Sequence, residues 1–186
     1  LTTGDRSLVS SSARGTGTSF SRATGLALNP SETTAYVADY NQDAIIEVDL
    51  ATGNRTPFSN SSNGSGPNLT LPTKIILNNA GSKAYVLDGQ FSTSAVFEID
   101  MATGNRTLVA SSSRGTGTDL AGPKGIALNT AETKAYVIDN SFSADRLFEV
   151  DLTTGNRIIL SDSSTGTGTN FSLPLALAYN PSDEDI

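Results

Sequence analysis

Short apolar runs alternate with polar, glycine-containing turns along the whole chain, and no apolar run is long enough to cross a membrane. One representative stretch contains four such runs that read as β segments, which we call A, B, C and D: residues 125–129, 135–139, 147–151 and 157–160. No window keeps the 3.6-residue apolar period of a helix. The pattern therefore predicts an all-β fold.

Segments A and C differ in the spacing of their apolar residues. Segment A is apolar at nearly every position, as in the Ile-Ile-Leu of residues 75–77, which predicts an innermost strand covered on both faces. Segment C alternates, as in the Ile-Glu-Val-Asp of residues 46–49, which predicts a half-buried strand farther out. The A–B and C–D links are short and carry Gly or Asn, so we expect hairpin turns there.

Whole units of this pattern repeat. The phrase Leu-Thr-Thr-Gly-Asp-Arg starts at Leu1, and close variants start at Leu50, Met101 and Leu152, with spacings of 49, 51 and 51 residues. A second phrase, Ala-Tyr-Val-x-Asp, keeps the same step. A single four-stranded unit cannot bury both faces, and stacking copies around an axis solves that problem. The repeat therefore predicts a β-propeller whose blades each have four strands.

The register of the repeat predicts one domain, a propeller segment that spans residues 1–186. It divides into a partial blade at 1–21, three whole blades at about 22–72, 73–122 and 123–173, and a partial blade at 174–186. The partial blades contain a lone D strand at residues 6–10 and a lone A strand at residues 174–180. We expect further blades, or another copy of the chain, to complete a ring of six or more blades.

Composition and charge exclude several classes of function. The formal charge is -7 and the sequence pI is about 4.4, so the chain repels phosphate backbones and we expect no nucleic-acid partner. The chain has no cysteine and no histidine, which removes disulfides, thiolate nucleophiles, Ser-His-Asp triads and His-based metal sites. We expect no membrane insertion. A binding or scaffold module is favoured over an enzyme.

Segment B with its terminal aspartate, at residues 36–39, 85–88 and 136–139, resembles the NHL-type propeller repeat. The Pro-x-Gly-Ile-Ala phrase at Pro123 and the phrase Glu-Val-Asp-Leu-x-Thr-Gly share this resemblance, and the pattern is similar to that of the wider gluconolactonase-like superfamily. The resemblance covers essentially the whole chain and implies a propeller. It implies three kinds of activity: protein binding, a role at the extracellular surface, and metal-dependent lactone hydrolysis.

The gluconolactonase-like enzymes hold a divalent cation with a Glu, an Asn and an Asp from non-equivalent blades. The acidic residues of this chain mostly obey the repeat instead. We therefore expect no cofactor, with one alternative: Asp39, Asp88 and Asp139 end segment B in successive blades, and three carboxylates near an axis suit Ca²⁺. The competing interpretation is structural, because an aspartate at a strand end commonly accepts N–H groups of the following turn.

Two further patterns have structural interpretations. The glutamates of segment C are expected to pair with the arginines of segment D across the sheet: Glu47, Glu98 and Glu149 with Arg55, Arg106 and Arg157. The glycine-rich phrases at Arg14, Arg114 and Thr165 lack both a following helix and the Gly-Lys-Ser/Thr ending of a phosphate-binding loop. We predict that they link the D strand of one blade to the A strand of the next.

The B–C loops are the part of the repeat that varies. Their aromatic and basic residues predict a ligand-binding surface on the face that they share with the D–A linkers: Tyr40, Phe91, Phe142 and Arg146. The alternative is that each aromatic side chain covers its own blade. The leading hypothesis is a non-enzymatic, extracellular or cell-surface bacterial module, with the periplasm as a second compartment. It binds a protein or glycan, or it serves as a structural surface protein; the alternative is a metal-dependent lactonase-like hydrolase.

Overall fold

The computed structural model describes residues 5–89, 94–141 and 144–180, and these residues form β-strands and no helix that could span a membrane. The strands are β1 (Ala23–Leu28), β2 (Thr34–Asp39), β3 (Ala44–Asp49), β4 (Arg55–Ser59), β5 (Lys74–Leu77), β6 (Lys83–Asp88), β7 (Ala95–Asp100), β8 (Arg106–Ala110), β9 (Pro123–Leu128), β10 (Lys134–Ser141), β11 (Ala144–Asp151) and β12 (Arg157–Ser161). They form three antiparallel sheets, β1 to β4, β5 to β8 and β9 to β12, each in sequence order. The predicted four-stranded repeat is confirmed.

The three sheets, which we call blades 1 to 3, stack around a common side. The first strands touch each other, β1 against β5 and β5 against β9. A Cβ atom on Gly25 would lie 2.8 Å from the Cα of Lys74, and a Cβ atom on Gly125 would lie 2.9 Å from the Cα of Ala176. The first contact joins blade 1 to blade 2, and the second joins blade 3 to residues 174–180. Segment A is therefore innermost, as predicted.

Burial along the strands differs from the prediction. Leu26 of β1 is 60% exposed, whereas Ile45 and Ile46 of β3 are both fully buried. Ile45 packs with residues of blade 2, and Ile46 packs on the opposite face of its own sheet with Val37 and its neighbours. The two central strands of a blade are covered on both faces because they lie between other layers. The expectation of a half-buried segment C is therefore wrong for blade 1, whereas Leu26 is exposed because no described blade packs against that face of β1; its counterparts Ile75 and Ile126 are 3% and 6% exposed.

The two lone strands of the prediction are also corrected. Neither residues 6–10 nor residues 174–180 form a strand, because within the described chain neither segment has a neighbouring strand of its own sheet. Residues 174–180 still occupy the place of an innermost strand. Ala176 lies against Gly125, and the ring of Tyr179 stacks on that of Tyr136 with 5.5 Å between centroids.

The predicted pairing of segment C glutamates with segment D arginines is wrong. Glu98 pairs with Lys83 at 3.0 Å, and Glu149 pairs with Lys134 at 2.8 Å. The arginines are instead buried and donate hydrogen bonds mainly to carbonyl groups of the D–A linkers: Arg55, Arg106 and Arg157. A guanidinium has five donors, so it can serve several carbonyl groups of a linker that has no strand partner.

Candidate functional site

Buried aspartates at the ends of β2, β6 and β10 fix the linkers that enter each blade. Asp39 accepts hydrogen bonds from the backbone N–H groups of Ser21 at 2.7 Å and Arg22 at 3.0 Å. Asp139 does the same for Ala121 at 2.7 Å and Gly122 at 3.1 Å. These aspartates therefore have the structural role of accepting backbone N–H groups, but their main donors lie in the preceding linker rather than in the following turn.

The environments of two equivalent aspartates shift their pKa values in opposite directions. Burial raises the pKa of Asp39, but hydrogen bonds from Arg22, Ser21 and Gln42 outweigh it, so the net pKa lies below the ordinary value. Burial raises the pKa of Asp88 to about 7, the Thr70 N–H opposes this, and the nearby charge of Asp43 raises it further. The same repeat position thus holds a charged group in blade 1 and a titrating group in blade 2.

The sequence also suggested Asp39, Asp88 and Asp139 as Ca²⁺ ligands. Each of the three carboxylates is buried and already accepts backbone N–H groups of its own blade. Across the part of the chain that the structure describes, no group of three or more acidic, histidine or cysteine side chains is arranged to hold a metal ion. These carboxylates thus hold the linkers in place, and whether they also bind Ca²⁺ stays a prediction.

The B–C loop of blade 1 and the linker before β1 form one continuous surface. The guanidinium of Arg22 lies over the ring of Tyr40, 4.3 Å from its centroid. The side chain of Gln42 donates to the Ser19 carbonyl at 2.7 Å, and Asn41 donates to Ser21 Oγ at 3.3 Å. We call this surface the recognition face and define it by five residues: Ser19, Ser21, Arg22, Tyr40 and Asn41.

The predicted recognition residues do not form one cluster in the described structure. Tyr40 contacts Arg22 within blade 1, and Arg146 faces Asp162 at the end of blade 3, with 3.7 Å between Nε and Oδ2. The Nε atom of Arg146 is buried and has no hydrogen bond among the described residues. Phe91 and Phe142 lie outside the described residues. Whether the four residues bind a ligand stays a prediction.

Sequence reasoning missed two residues that join the B–C loops to the next repeat. Asp43 accepts the N–H of Leu71 at 2.7 Å, and Asp145 accepts the N–H of Leu173 at 2.9 Å. Both leucines have positive φ, 64° and 54°, which orients these N–H groups toward the preceding blade. The available signal was their spacing, because each aspartate precedes the segment C glutamate by four residues.

Sequence reasoning also missed Arg22. Arg22 lies at the end of a linker, directly before β1. The prediction considered only the B–C loops, which contain Tyr40. The link between them is the register of β1 and β2, in which Ala23 faces Asp39. Arg22 and Tyr40 are the residues next to this pair, so the register places them close together. The Tyr40 N–H donates to the Arg22 carbonyl at 2.8 Å.

No protein-family model matches this chain, and no curated protein matches it. Solved structures do match. A nidogen/laminin complex has a TM-score of 0.64 and 20% identity, and the match covers 87% of this chain and 54% of that chain. A gluconolactonase from Xanthomonas campestris has a TM-score of 0.64 and 15% identity, with 86% and 53% covered. A protein of unknown function from Bacteroides thetaiotaomicron has a TM-score of 0.61 and 19% identity, with 83% and 41% covered.

These similarities establish the β-propeller fold. Identities of 20% or less extend no further than the fold. The chain spans about half the length, or less, of these solved chains, 41% to 54%. Their number of blades therefore does not transfer to it, and the six-bladed ring stays a prediction.

Proposed function

We propose that this chain is a non-enzymatic propeller module that binds a protein through its recognition face. The observation that carries the proposal is the Arg22–Tyr40 pair, held at the surface by the buried carboxylate of Asp39. Arginine and tyrosine are enriched among residues that dominate binding energy in protein interfaces. A pair whose backbone is already fixed loses little conformational entropy when a partner binds.

The geometry favours a protein over a glycan. A sugar ring that stacks on an aromatic side chain needs an open ring face, and the guanidinium of Arg22 covers one face of Tyr40. The same guanidinium is exposed and has donors that suit a carboxylate or a backbone carbonyl of a partner. Arg22 is also a local positive charge on a chain whose net charge is -7, which favours an acidic segment in the partner.

The lactonase-like alternative has less support from the residues. The strand-end carboxylates already accept backbone N–H groups, and the chain has no histidine that could act as a general base. Similarity to a gluconolactonase extends to the fold, so the alternative remains an outcome of the experiment below. We further propose an extracellular or cell-surface location, with the periplasm as the second compartment. The acidic charge and the richness in Ser, Thr and Asn fit this location.

The test is a binding screen against a displayed peptide library and, in parallel, a glycan array. We expect acidic peptides to bind, and we expect Arg22→Ala to weaken their binding by about tenfold or more. Lys83→Ala is the matched control, because it removes one positive charge from a side chain in an exposed pair far along the chain from the recognition face. Its affinity should equal that of the wild type.

Three outcomes would overturn the proposal. Binding of glycans alone would replace the partner class. Equal loss in Arg22→Ala and Lys83→Ala would show that general charge, not the recognition face, drives binding. Hydrolysis of glucono-δ-lactone that requires both the chain and added Ca²⁺ or Zn²⁺ would establish the enzymatic alternative.

A further inference from the structure

A pocket of about 400 Å³ lies at the junction of blades 1 and 2, and we call it the junction pocket. Its walls come from β3 and β4, from the linker between the two blades and from the turn between β7 and β8: Glu47, Thr56, Pro57, Phe58, Ser62, Asn63, Gly64, Ala102 and Thr103. Glu47 is the only charged residue among these. Both blades that form the pocket are whole in the described chain, and the volume suits a small ligand or one long side chain.

Arginines in the linkers that enter blades 1 and 3 hold the turn between the third and fourth strands of those blades. Arg114 donates from Nε to the Val109 carbonyl at 3.0 Å and from Nη2 to the Thr153 carbonyl at 3.4 Å. Arg14 donates to the Ala51 carbonyl at 3.3 Å, and Ala51 is the counterpart of Thr153 in blade 1. In both places a guanidinium therefore bridges a linker and a turn.

The linker that enters blade 2 has asparagine at this position. Asn63 is shorter than arginine, and it donates to the Pro57 carbonyl of blade 1 at 2.8 Å. The counterparts of the residues that accept hydrogen bonds from Arg114 are Phe58 and Ala102, and both line the junction pocket. The junction pocket therefore lies where the next junction accommodates the side chain of an arginine.

Glu47 gives the junction pocket its negative charge. The counterpart of Glu47 in blade 2, Glu98, pairs with Lys83 at 3.0 Å. In blade 1 the position of Lys83 is occupied by Thr34, and no lysine or arginine among the described residues lies within ion-pair distance of Glu47. The Tyr36 hydroxyl donates to Glu47, and a carboxylate has further acceptor sites for a cationic donor.

We propose that the junction pocket binds the guanidinium of an arginine side chain from a partner protein. The Glu47 carboxylate accepts charged hydrogen bonds from this guanidinium, and backbone carbonyl groups of the pocket accept others. The ring of Phe58, whose centroid lies 5.1 Å from that of Tyr36, offers a wall for the planar group. The junction pocket shares no residue with the recognition face, so either site can be lost without the other.

The test is an NMR titration of the isotope-labelled chain with the tripeptide Gly-Arg-Gly, blocked at both ends, up to millimolar concentrations. We expect the amide signals of Ala102 and Thr103 to shift. The same tripeptide with citrulline has nearly the shape of arginine and no charge, so it should bind about tenfold more weakly or worse. Lysine should also bind more weakly than arginine, because an ammonium does not have the planar fork of donors.

Two variants and a control assign the binding to the junction pocket. Glu47→Gln keeps an acceptor for Tyr36 and removes the charge, so it should weaken binding by about tenfold or more. Asn63→Arg should abolish binding, because the new side chain fills the pocket as Arg114 fills the equivalent place. Glu98→Gln removes the same charge at the equivalent position of blade 2, and its affinity for the tripeptide should equal that of the wild type.

Four results would overturn the proposal: no binding of the arginine tripeptide, equal binding of the arginine tripeptide and either of the other two, unchanged affinity in Glu47→Gln, or unchanged affinity in Asn63→Arg. Equal weakening in Glu47→Gln and Glu98→Gln would also overturn it, because net charge alone would then explain the binding. None of these results bears on acidic peptides at the recognition face, which Arg22→Ala tests separately.

Discussion

One buried arginine in each outermost strand holds the linker that enters the same blade. Arg106 donates from Nε to the Pro67 carbonyl at 2.7 Å, and from one terminal nitrogen to Ser59 Oγ at 2.8 Å and the Asn63 carbonyl at 2.9 Å. These acceptors lie on the last residue of blade 1 and on the linker beyond it. The repeated arginine therefore joins neighbouring blades rather than neighbouring strands.

Arg106→Ala should lower the free energy of unfolding by about 2–4 kcal/mol, because charged hydrogen bonds are lost and buried acceptors are left unpaired. Arg106→Lys should restore only part of this, since an ammonium cannot reproduce the geometry of the guanidinium. Urea denaturation measures both. Thr107→Ala, an exposed neighbour on β8, is the control and should change stability by less than about 0.5 kcal/mol. A loss below about 1 kcal/mol in Arg106→Ala would contradict the linker-holding role.

The raised pKa of Asp88, about 7, makes stability depend on pH near neutrality. The folded protein holds this proton more tightly than the unfolded chain, so the contribution of Asp88 is fully present below the unfolded pKa and is lost as pH rises through about 7. We expect the free energy of unfolding to fall between pH 5 and 8 with a slope that one group limits to about 1.4 kcal/mol per pH unit. Asp88→Asn should flatten this slope in urea denaturation.

Asp39, at the same repeat position, is the control, because its pKa is shifted in the opposite direction. Its pKa is lowered, so its stabilising contribution is present above the unfolded pKa and is lost as pH falls through the folded pKa. Asp39→Asn should therefore reduce stability at neutral pH and leave the slope between pH 5 and 8 unchanged. An unaltered slope in Asp88→Asn would show that another group titrates in this range.

Individual residues show where sequence reasoning stops. The repeat identified Asp39 as a strand-end acceptor, because a short polar side chain in that position has few other uses. It could not supply the donors, since Ser21 and Arg22 precede Asp39 by 18 and 17 residues and approach only after β1 and β2 pair. Arg55 was misassigned for the same reason: its partners belong to a linker, and linkers have no period that predicts contacts.

The strands themselves were predictable because each ends at a turn signal. All four strands of blade 3 fall where segments A to D were expected, but β10 and β11 extend farther, to Ser141 and from Ala144. In that extension Asn140 pairs with Asp145 through the backbone. The residues there are polar, like those of a loop, but strand pairing needs only their backbone groups. The prediction from composition therefore ended these two strands too early.

Linker glycines should differ in importance according to what each faces. Gly66→Ala places a Cβ atom against the Arg106 carbonyl at a φ of 98°, and we expect it to cost about 2–4 kcal/mol of stability. Gly168→Ala adds a Cβ atom with no described neighbour within 4 Å, so it should cost only about 1 kcal/mol of backbone strain. Thermal unfolding compares the two variants. Equal losses of stability would show that φ strain, not the contact with the Arg106 carbonyl, makes glycine necessary in the linkers.

At the scale of the whole molecule, we expect stability to be a sum of blade terms and junction terms, because the main contacts between the described sheets join neighbours in the stack. The apolar clusters follow this rule. One cluster joins β3 of blade 1 to β6 and β7 of blade 2, and another joins blade 2 to blade 3. The radial arrangement was predictable from the repeat, since one meander cannot cover its own faces. The detailed environment of each repeat position was not predictable from the repeat, because it varies from blade to blade. The pKa values of Asp39 and Asp88, which are shifted in opposite directions, are one example.

A junction can be weakened at the axis without changing either sheet. A Cβ atom on Gly25 would lie 2.8 Å from the Cα of Lys74 and 3.0 Å from the Thr73 carbonyl oxygen, and neither backbone group can rotate away. Gly25→Ala should therefore push β1 from β5. We expect amide hydrogen exchange in β2 and β3 to accelerate by about tenfold or more, while β10 keeps the wild-type rate.

Lys74→Ala is the matched control for this junction, because it shortens the side chain at the same contact and leaves the backbone approach of Gly25 unchanged. Its exchange rates should stay close to the wild type. Acceleration of equal size in all three blades of Gly25→Ala would mean that the molecule opens as one cooperative unit. Stability would then belong to the whole stack, and the separation into blade and junction terms would fail.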